Sequence, residues 1–177
     1  MRKKSIYFFI GIVILLFLVC LNTTVLFPRK YSEYVKEYSQ KYNVNENLIY
    51  AIIKCESDFD KNAVSHAGAI GLMQITPQTL QWAALKNKDF EVSLNSLADP
   101  ETNIKYGCYI YSLLQAEFSD STVSLAAYNA GRGNVLKWLN DKRYSDDGIL
   151  LKRIPFRETQ KYTSKVLIIS KIYYFIY

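Results

Sequence analysis

Leu48-Ile49-Tyr50-Ala51-Ile52-Ile53-Lys54-Cys55-Glu56 is the stretch whose reading decides the fold. Ile49, Ile52 and Ile53 recur at helical steps, and Glu56 follows at i+7, i+4 and i+3 from them. The spacing predicts a helix whose apolar stripe ends in a carboxylate. A carboxylate on a core-facing stripe costs free energy unless it is paired or protonated. A place in the last helical turn adds the negative end of the helix dipole, which also favours the neutral acid. Both effects push the pKa upward. A carboxylic acid that keeps its proton near neutral pH is suited to general acid chemistry. On spacing alone the competing reading is a helix-ending glutamate that turns to solvent, because Glu is rarely buried.

Outward from this helix, the chain has 177 residues, enough for one domain. Residues 5–27 are uncharged and mostly apolar, about the length that spans a bilayer as a helix. Arg2, Lys3 and Lys4 precede them, and no acidic residue occurs before Glu33. That flank predicts a single-pass anchor over residues 1–27, with a cytoplasmic N-terminus and an exported part from residue 28. A cleaved signal peptide is disfavoured because the run is long and no small-x-small site follows it. Net charge is +6, and removing the three basic residues before the anchor leaves +3. That residual is too small to point to nucleic acid, and no run of basic residues interleaved with aromatics suggests a nucleic-acid groove. It is compatible with work beside an anionic envelope polymer or lipid surface. Cys55 and Cys108 lie in apolar helical patterns and read as buried thiols, with one disulfide the alternative in an exported domain. With one histidine, His66, and no CxxC spacing, no metal site is expected.

Helices dominate the remaining pattern. Tyr31, Tyr34, Val35, Tyr38 and Tyr42 recur at three- and four-residue steps and predict an amphipathic helix. Asn45 is the expected N-cap of the helix carrying Glu56. Residues 57–75 read as loop, and Thr76-Pro77 as a helix start. Asp99-Pro100 opens a long helix to about Phe118. Ser121 is the expected cap of the next helix, with Gly131 as its stop. A short helix is predicted over 134–139, a charged loop over 140–153, and a last helix from about Phe156. The apolar stretch 166–177 is expected to pack into the core rather than span a membrane, since Lys171 interrupts it.

Several loop motifs are placed to converge on Glu56. In Gly71-Leu72-Met73-Gln74-Ile75-Thr76-Pro77, glycine lets backbone approach a ligand, and the Gln74 amide suits hydroxyls and N-acetyl groups. Ala127-Tyr128-Asn129-Ala130-Gly131 puts a phenol and an amide in a last helical turn. Glu158 and Tyr162 share a helix face at i, i+4. Each motif alone also fits an ordinary loop, cap or surface pair.

Glu56-Ser57, the 71–77 run, the 127–131 run and the Pro155, Glu158-Thr159, Tyr162 pattern occur in that order. Together they resemble the soluble lytic transglycosylases of the goose-lysozyme-like superfamily, over about residues 40–170. The resemblance implies a predominantly α, lysozyme-like helical domain with a cleft. It implies cleavage of the β-1,4 bond between N-acetylmuramic acid and N-acetylglucosamine in peptidoglycan, leaving 1,6-anhydro ends. It implies Glu56 as the single catalytic acid/base. Ser57 would hydrogen-bond near it, and Met73 and Gln74 would line the cleft beside the scissile sugar. Tyr128 and Asn129 would orient the substrate, while Glu158 and Tyr162 would close the far side. No cofactor is implied, and the partners are glycan strands and, through the anchor, a bacterial cell membrane, with the catalytic domain on the cell-wall side. A hydrolytic muramidase and a non-catalytic peptidoglycan-binding protein are the alternatives. His66 stands where the family motif usually has proline, so the loop before Gly68 is expected to differ.

Overall fold

The structure is a computed structural model that describes residue 9 and residues 24–88 and 92–177. The anchor expected over 1–27 lies almost wholly outside these residues. Among the described residues, no helix is long and apolar enough to cross a membrane. The chain divides into two units, one of residues 1–30 with Ile176 and one of Tyr31–Phe175 with Tyr177. In the first, residues 24–26 are helical. The second unit contains the elements that follow.

Seven α-helices are described in it: α1 Ser32–Lys41, α2 Glu46–Glu56, α3 Pro77–Asn87, α4 Pro100–Phe118, α5 Ser121–Ala130, α6 Arg132–Leu139 and α7 Arg157–Ile176, with a 3-10 turn at Leu94–Ala98 between α3 and α4. No strand is described, only isolated bridges pairing Ile70 with Val64 and with Ile75. The helix starts follow elementary capping. Asn45 accepts from Leu48 N at 3.1 Å, Thr76 from Thr79 N at 3.2 Å and Asp99 from Thr102 N at 2.9 Å. Proline opens α3 and α4, where its missing N–H costs nothing. The expected cap Ser121 is instead the first residue of α5, and Asp120 caps it, accepting from Val123 N at 2.9 Å. A carboxylate one residue earlier satisfies the same orphan N–H groups and adds a favourable charge at the positive helix end.

Helix α2 is buried nearly all round: Ile49, Tyr50, Ala51, Ile52 and Ile53 are each 0% exposed. Burying each large aliphatic side chain here contributes about 1.5–3 kcal/mol. Helix α4 is the other spine, packing against α1, α3, α5 and the 3-10 turn. Tyr38 of α1 donates to Glu101 of α4 at 2.7 Å. Helix α7 applies Thr159, Thr163, Val166, Ile169 and Tyr173 to the core, and Tyr173 stacks on Tyr50 at 5.3 Å between ring centroids. The expectation that residues 166–177 pack inward is half corrected. Ile168, Tyr174 and Phe175 are 60%, 70% and 82% exposed, because a helix can turn only one face to the core.

Close approach fixes one position in α4. A Cβ on Gly107 would lie 2.1 Å from Met73 Sδ and 2.9 Å from Met73 Cβ, and Met73 is fully buried. Gly107→Ala is therefore expected to destabilise the protein by about 2 kcal/mol through overpacking, despite alanine's higher helix propensity. Urea unfolding checks this; an equal or raised midpoint would show that Met73 has room to yield.

Candidate active site

Backbone N–H groups reach only the first two carbonyls of the segment 70–73, Ile75 N donating to Ile70 O at 3.1 Å and Gln74 N to Gly71 O at 3.2 Å, and side chains from three helix-associated positions and one loop residue add donors to all four. Asn103 of α4 donates to Ile70 O at 2.9 Å. Gln74 Nε2 donates to Gly71 O at 2.9 Å and to Ala63 O at 3.1 Å. Ser57, the residue that ends α2, donates to Leu72 O at 2.9 Å. Tyr128 of α5 donates to Met73 O at 2.8 Å. Asn103 also donates to Leu97 O at 2.9 Å and accepts from Met73 N at 2.8 Å, so its buried amide makes three bonds. Gly71 is required beneath it: its φ is +81°, and a Cβ there would sit 2.2 Å from Asn103 Nδ2.

This knotted loop walls a cleft of about 830 Å³. Glu56 lines it from the end of α2, Gln74 and Ile75 from the loop, Asn129 from the end of α5 and Glu158 from the start of α7. Glu56 is half-buried, and its carboxyl is raised from 4.5 to about 7. Removal from water is the main cause, the nearby Tyr162 hydroxyl partly opposes it, and the negative charge of Glu158 adds to it. Among the charged side chains, Glu158 supplies the electrostatic part. Tyr162 Oη is buried beside Glu56, yet no well-aligned hydrogen bond closes on it. Its pull on Glu56 is that of a donor within reach but not docked. Burial first, then the charge of Glu56, pushes the Tyr128 and Tyr162 phenols well above their ordinary pKa. Neither phenol is a proton source near neutral pH.

The other expected site residues divide by what they touch. Gln74 and Asn129 line the cleft. The Asn129 oxygen accepts from Thr159 of α7 at 2.7 Å, leaving its amide N–H groups as the donors for a ligand. Glu158 lines the cleft and is exposed. One expectation is corrected. The Met73 side chain does not line the cleft: it is 0% exposed and packs against Gly107, and the residue serves the site through its backbone. Ser57, next to Glu56, hydrogen-bonds to Leu72 O at 2.9 Å and Ile53 O at 3.2 Å, so its hydroxyl ties the loop to the end of α2. Tyr128 lines the cleft, but its hydroxyl is committed to Met73 O. Residues assigned no role in the site from sequence also line it: His66, Thr76, Thr79, Trp82 and Arg132. Trp82 is the one with a visible signal, a large aromatic on a helix of low amphipathicity. Asn103 had none, because a lone Asn inside a long helical pattern looks like any solvated polar residue. Cys55 and Cys108 are free thiols, and burial raises Cys55 to about 11.

A helical domain whose main cleft presents one proton-retaining carboxyl, amides and an aromatic has the architecture of the lysozyme-like class. The family model of the transglycosylase SLT domain matches residues 33–150, and the chain belongs to that family. The membrane-bound lytic murein transglycosylase C of Haemophilus influenzae (strain PittGG) is 37% identical over 125 residues, covering 64% of this chain and 35% of that protein. The soluble lytic murein transglycosylase of Escherichia coli (strain K12) is 35% identical over 153 residues, covering 83% of this chain and 23% of its own length. This chain thus spans about a third or less of these relatives. Among solved structures, the 70 kDa soluble lytic transglycosylase of Escherichia coli superposes with a TM-score of 0.74 at 32% identity, over 84% of this chain and 25% of that one. An inactive glutamate-to-glutamine mutant of the lytic transglycosylase Slt from Pseudomonas aeruginosa gives 0.73 at 33% identity, over 83% and 24%.

The raised carboxyl has a thermodynamic signature. Folded Glu56 holds its proton up to about 7, whereas the unfolded side chain releases it near 4.5. Stability contributed by the neutral acid is complete below the unfolded value and is lost as pH rises through the folded one. Glu56→Gln is therefore expected to be more stable than the wild type by about 3 kcal/mol at pH 8, with the gap closing below pH 4.5. Denaturant melts across pH test this; a gap independent of pH would mean the carboxyl is not raised.

Proposed function

We propose that residues 28–177 form a peptidoglycan lytic transglycosylase domain, cleaving between N-acetylmuramic acid and N-acetylglucosamine with Glu56 as acid and then base. The observation that carries this reading is a carboxyl held near pKa 7 by burial, in a cleft that also presents amide and hydroxyl groups suited to acetylated sugars. The family and the names of its relatives support it, as does a structural neighbour that a glutamate-to-glutamine exchange inactivates.

In this reading Glu56 donates its proton to the glycosidic oxygen, and the C1–O bond breaks. The positive charge at C1 is relieved by the sugar's own N-acetyl oxygen. The Glu56 carboxylate then takes the proton of the C6 hydroxyl, whose oxygen bonds to C1. The acid is regenerated, and the product is a 1,6-anhydro sugar. One carboxyl suffices because the nucleophile is tethered to the substrate. Tyr162 stands ready to donate to Glu56 in its ionised phase, and Asn129 to hold the acetamido oxygen.

Glu158 favours a second reading. A further carboxylate on the cleft matches the two-carboxylate plan of hydrolytic muramidases. The products separate the two, since anhydro-muropeptides are lighter than hydrolytic ones by one water. Residues 5–27 would tether the domain to the bacterial cell membrane on its cell-wall side, and Pro28-Arg29, a very short linker after them, would confine cleavage to membrane-proximal strands. The names of the relatives include both membrane-bound and soluble proteins.

Digestion of purified peptidoglycan is expected to yield anhydro-muropeptides, with Glu56→Gln lowering the rate by about a thousandfold or more. Reducing-end products from the wild type, abolished by Glu158→Gln, would favour the hydrolytic reading instead. Lengthening the segment between residues 27 and 31 is expected to alter which strands of intact cells are cut; unchanged cleavage would count against confinement by the tether.

A further inference from the structure

Helix α7 carries an outward face that the cleft does not use. Lys161, Lys165, Ile168, Ile172 and Phe175 follow one another at steps of four, three, four and three residues, which sets them along one line of the helix surface. Lys161, Lys165, Ile168 and Phe175 are exposed, as are Lys171 and Tyr174 beside them. Phe175 is the extreme case, and its ring meets Tyr174 edge-on with centroids 5.6 Å apart. The inward face is already apolar, through Val166, Ile169 and Tyr173. The core therefore does not account for the isoleucine and the two rings that point outward. A cluster of this kind marks a surface that something covers.

The charges on this face have one sign. A groove of about 440 Å³ is lined by Lys161, Lys165 and Ile168, and another of about 580 Å³ by Lys171, Tyr174 and Phe175 with Asn45 and Asn47 at the start of α2. No carboxylate lines either groove. The one acidic residue of α7, Glu158, lies in its first turn and lines the main cleft instead. The three lysines are in no ion pair among the described residues. Ammonium groups beside exposed isoleucine and aromatic rings match an anionic amphiphile. Headgroup phosphates suit the lysines, acyl carbon suits Ile168 and Phe175, and the boundary between them suits the Tyr174 phenol. Among the described residues no helix is long and apolar enough to cross a membrane, so the match is to a bilayer surface.

We propose that this face of α7 docks on an anionic lipid surface, with Phe175, Tyr174 and Ile168 entering the headgroup boundary and Lys161, Lys165 and Lys171 on lipid phosphates. The chain supplies the reach. Residues 28–30 are all that separate the apolar segment 5–27 from the second unit, and three residues extend to about 11 Å at most. A tether this short keeps the second unit within reach of headgroups, and the α7 face has the chemistry to hold them. The inference rests on the proposed tether for that reach. It adds which side of the domain meets the lipid.

The test reconstitutes the full chain in vesicles of phosphatidylcholine, with and without phosphatidylglycerol, that carry bromine on their acyl chains. Bromine quenches a tryptophan that enters the acyl boundary, and wild-type emission from Trp82 and Trp138 is the baseline. Phe175→Trp is expected to add emission that the anionic vesicles quench, and Tyr174→Trp to do the same as an independent probe. Leu85→Trp, at an exposed position of α3, is expected to add emission that stays bright. Lys165→Gln combined with Lys171→Gln is expected to lower the ratio of docked to undocked protein about thirtyfold, the attraction of two lysines to an anionic surface. Raised salt should act in the same direction. Bright emission from both α7 probes would overturn the docking. Equal quenching of the Leu85→Trp protein, or quenching indifferent to lipid charge and to the lysines, would overturn it too. Alkaline carbonate extraction of the same vesicles reads the tether separately. Protein that is extracted, yet quenched in the Phe175→Trp variant at neutral pH, would refute the tether and leave the docking face standing. Protein that resists extraction while both α7 probes stay bright would do the reverse.

Discussion

The carbonyl oxygens of residues 70–73 need hydrogen-bond donors, and this need organises the site. A loop buried among helices cannot leave main-chain oxygens unsatisfied, because each orphan costs roughly 1–3 kcal/mol. Backbone N–H groups of Ile75 and Gln74 reach Ile70 O and Gly71 O, and Asn103, Gln74, Ser57 and Tyr128 supply the side-chain donors. They come from α4, the loop itself, the end of α2 and α5, so satisfying the loop also fixes those elements against one another. Glu56 is the residue before Ser57, and the tie from Ser57 to Leu72 O holds its helix end at the loop. The same tie holds Glu56 at the wall of the cleft, where burial raises its carboxyl.

This division separates residues that build the cleft from residues that face it. Met73, Ser57 and the Tyr128 hydroxyl belong to the frame. Glu56, Gln74, Asn129 and Glu158 line the cleft itself. A motif can hold both kinds side by side. In 71–77, Gly71 is needed to admit the Asn103 amide, Met73 fills the core against Gly107, and Gln74 both ties the loop and lines the cleft. Asn129 shows the same doubling, its oxygen bound to Thr159 and its amide left for the cleft.

The helical frame was legible from the chain because it rests on local rules. Asn45, Thr76-Pro77 and Asp99-Pro100 start helices through hydrogen bonds within one turn, and a short window of sequence contains both partners. Asp120 displaced Ser121 by one residue for the same local reason. The proximity of Glu56 to an apolar face was legible too, from the isoleucines three, four and seven residues before it. Asn103 was not, since its partners lie up to 33 residues away and nothing in its neighbourhood marks it as buried. Trp82 and Arg132 were missed because a wall is shared between distant segments. The orientation of Met73 was misjudged because facing a cleft and facing a core look alike when both surfaces are apolar.

The account turns on whether one carboxyl keeps its proton at the pH where the enzyme would work. Carbon-detected NMR titration of the Glu56 carboxyl in the intact protein measures this directly. The structure predicts a midpoint near 7. A midpoint near 4.5, the ordinary value for a solvated glutamate, would show that water reaches the group freely and would contradict the account.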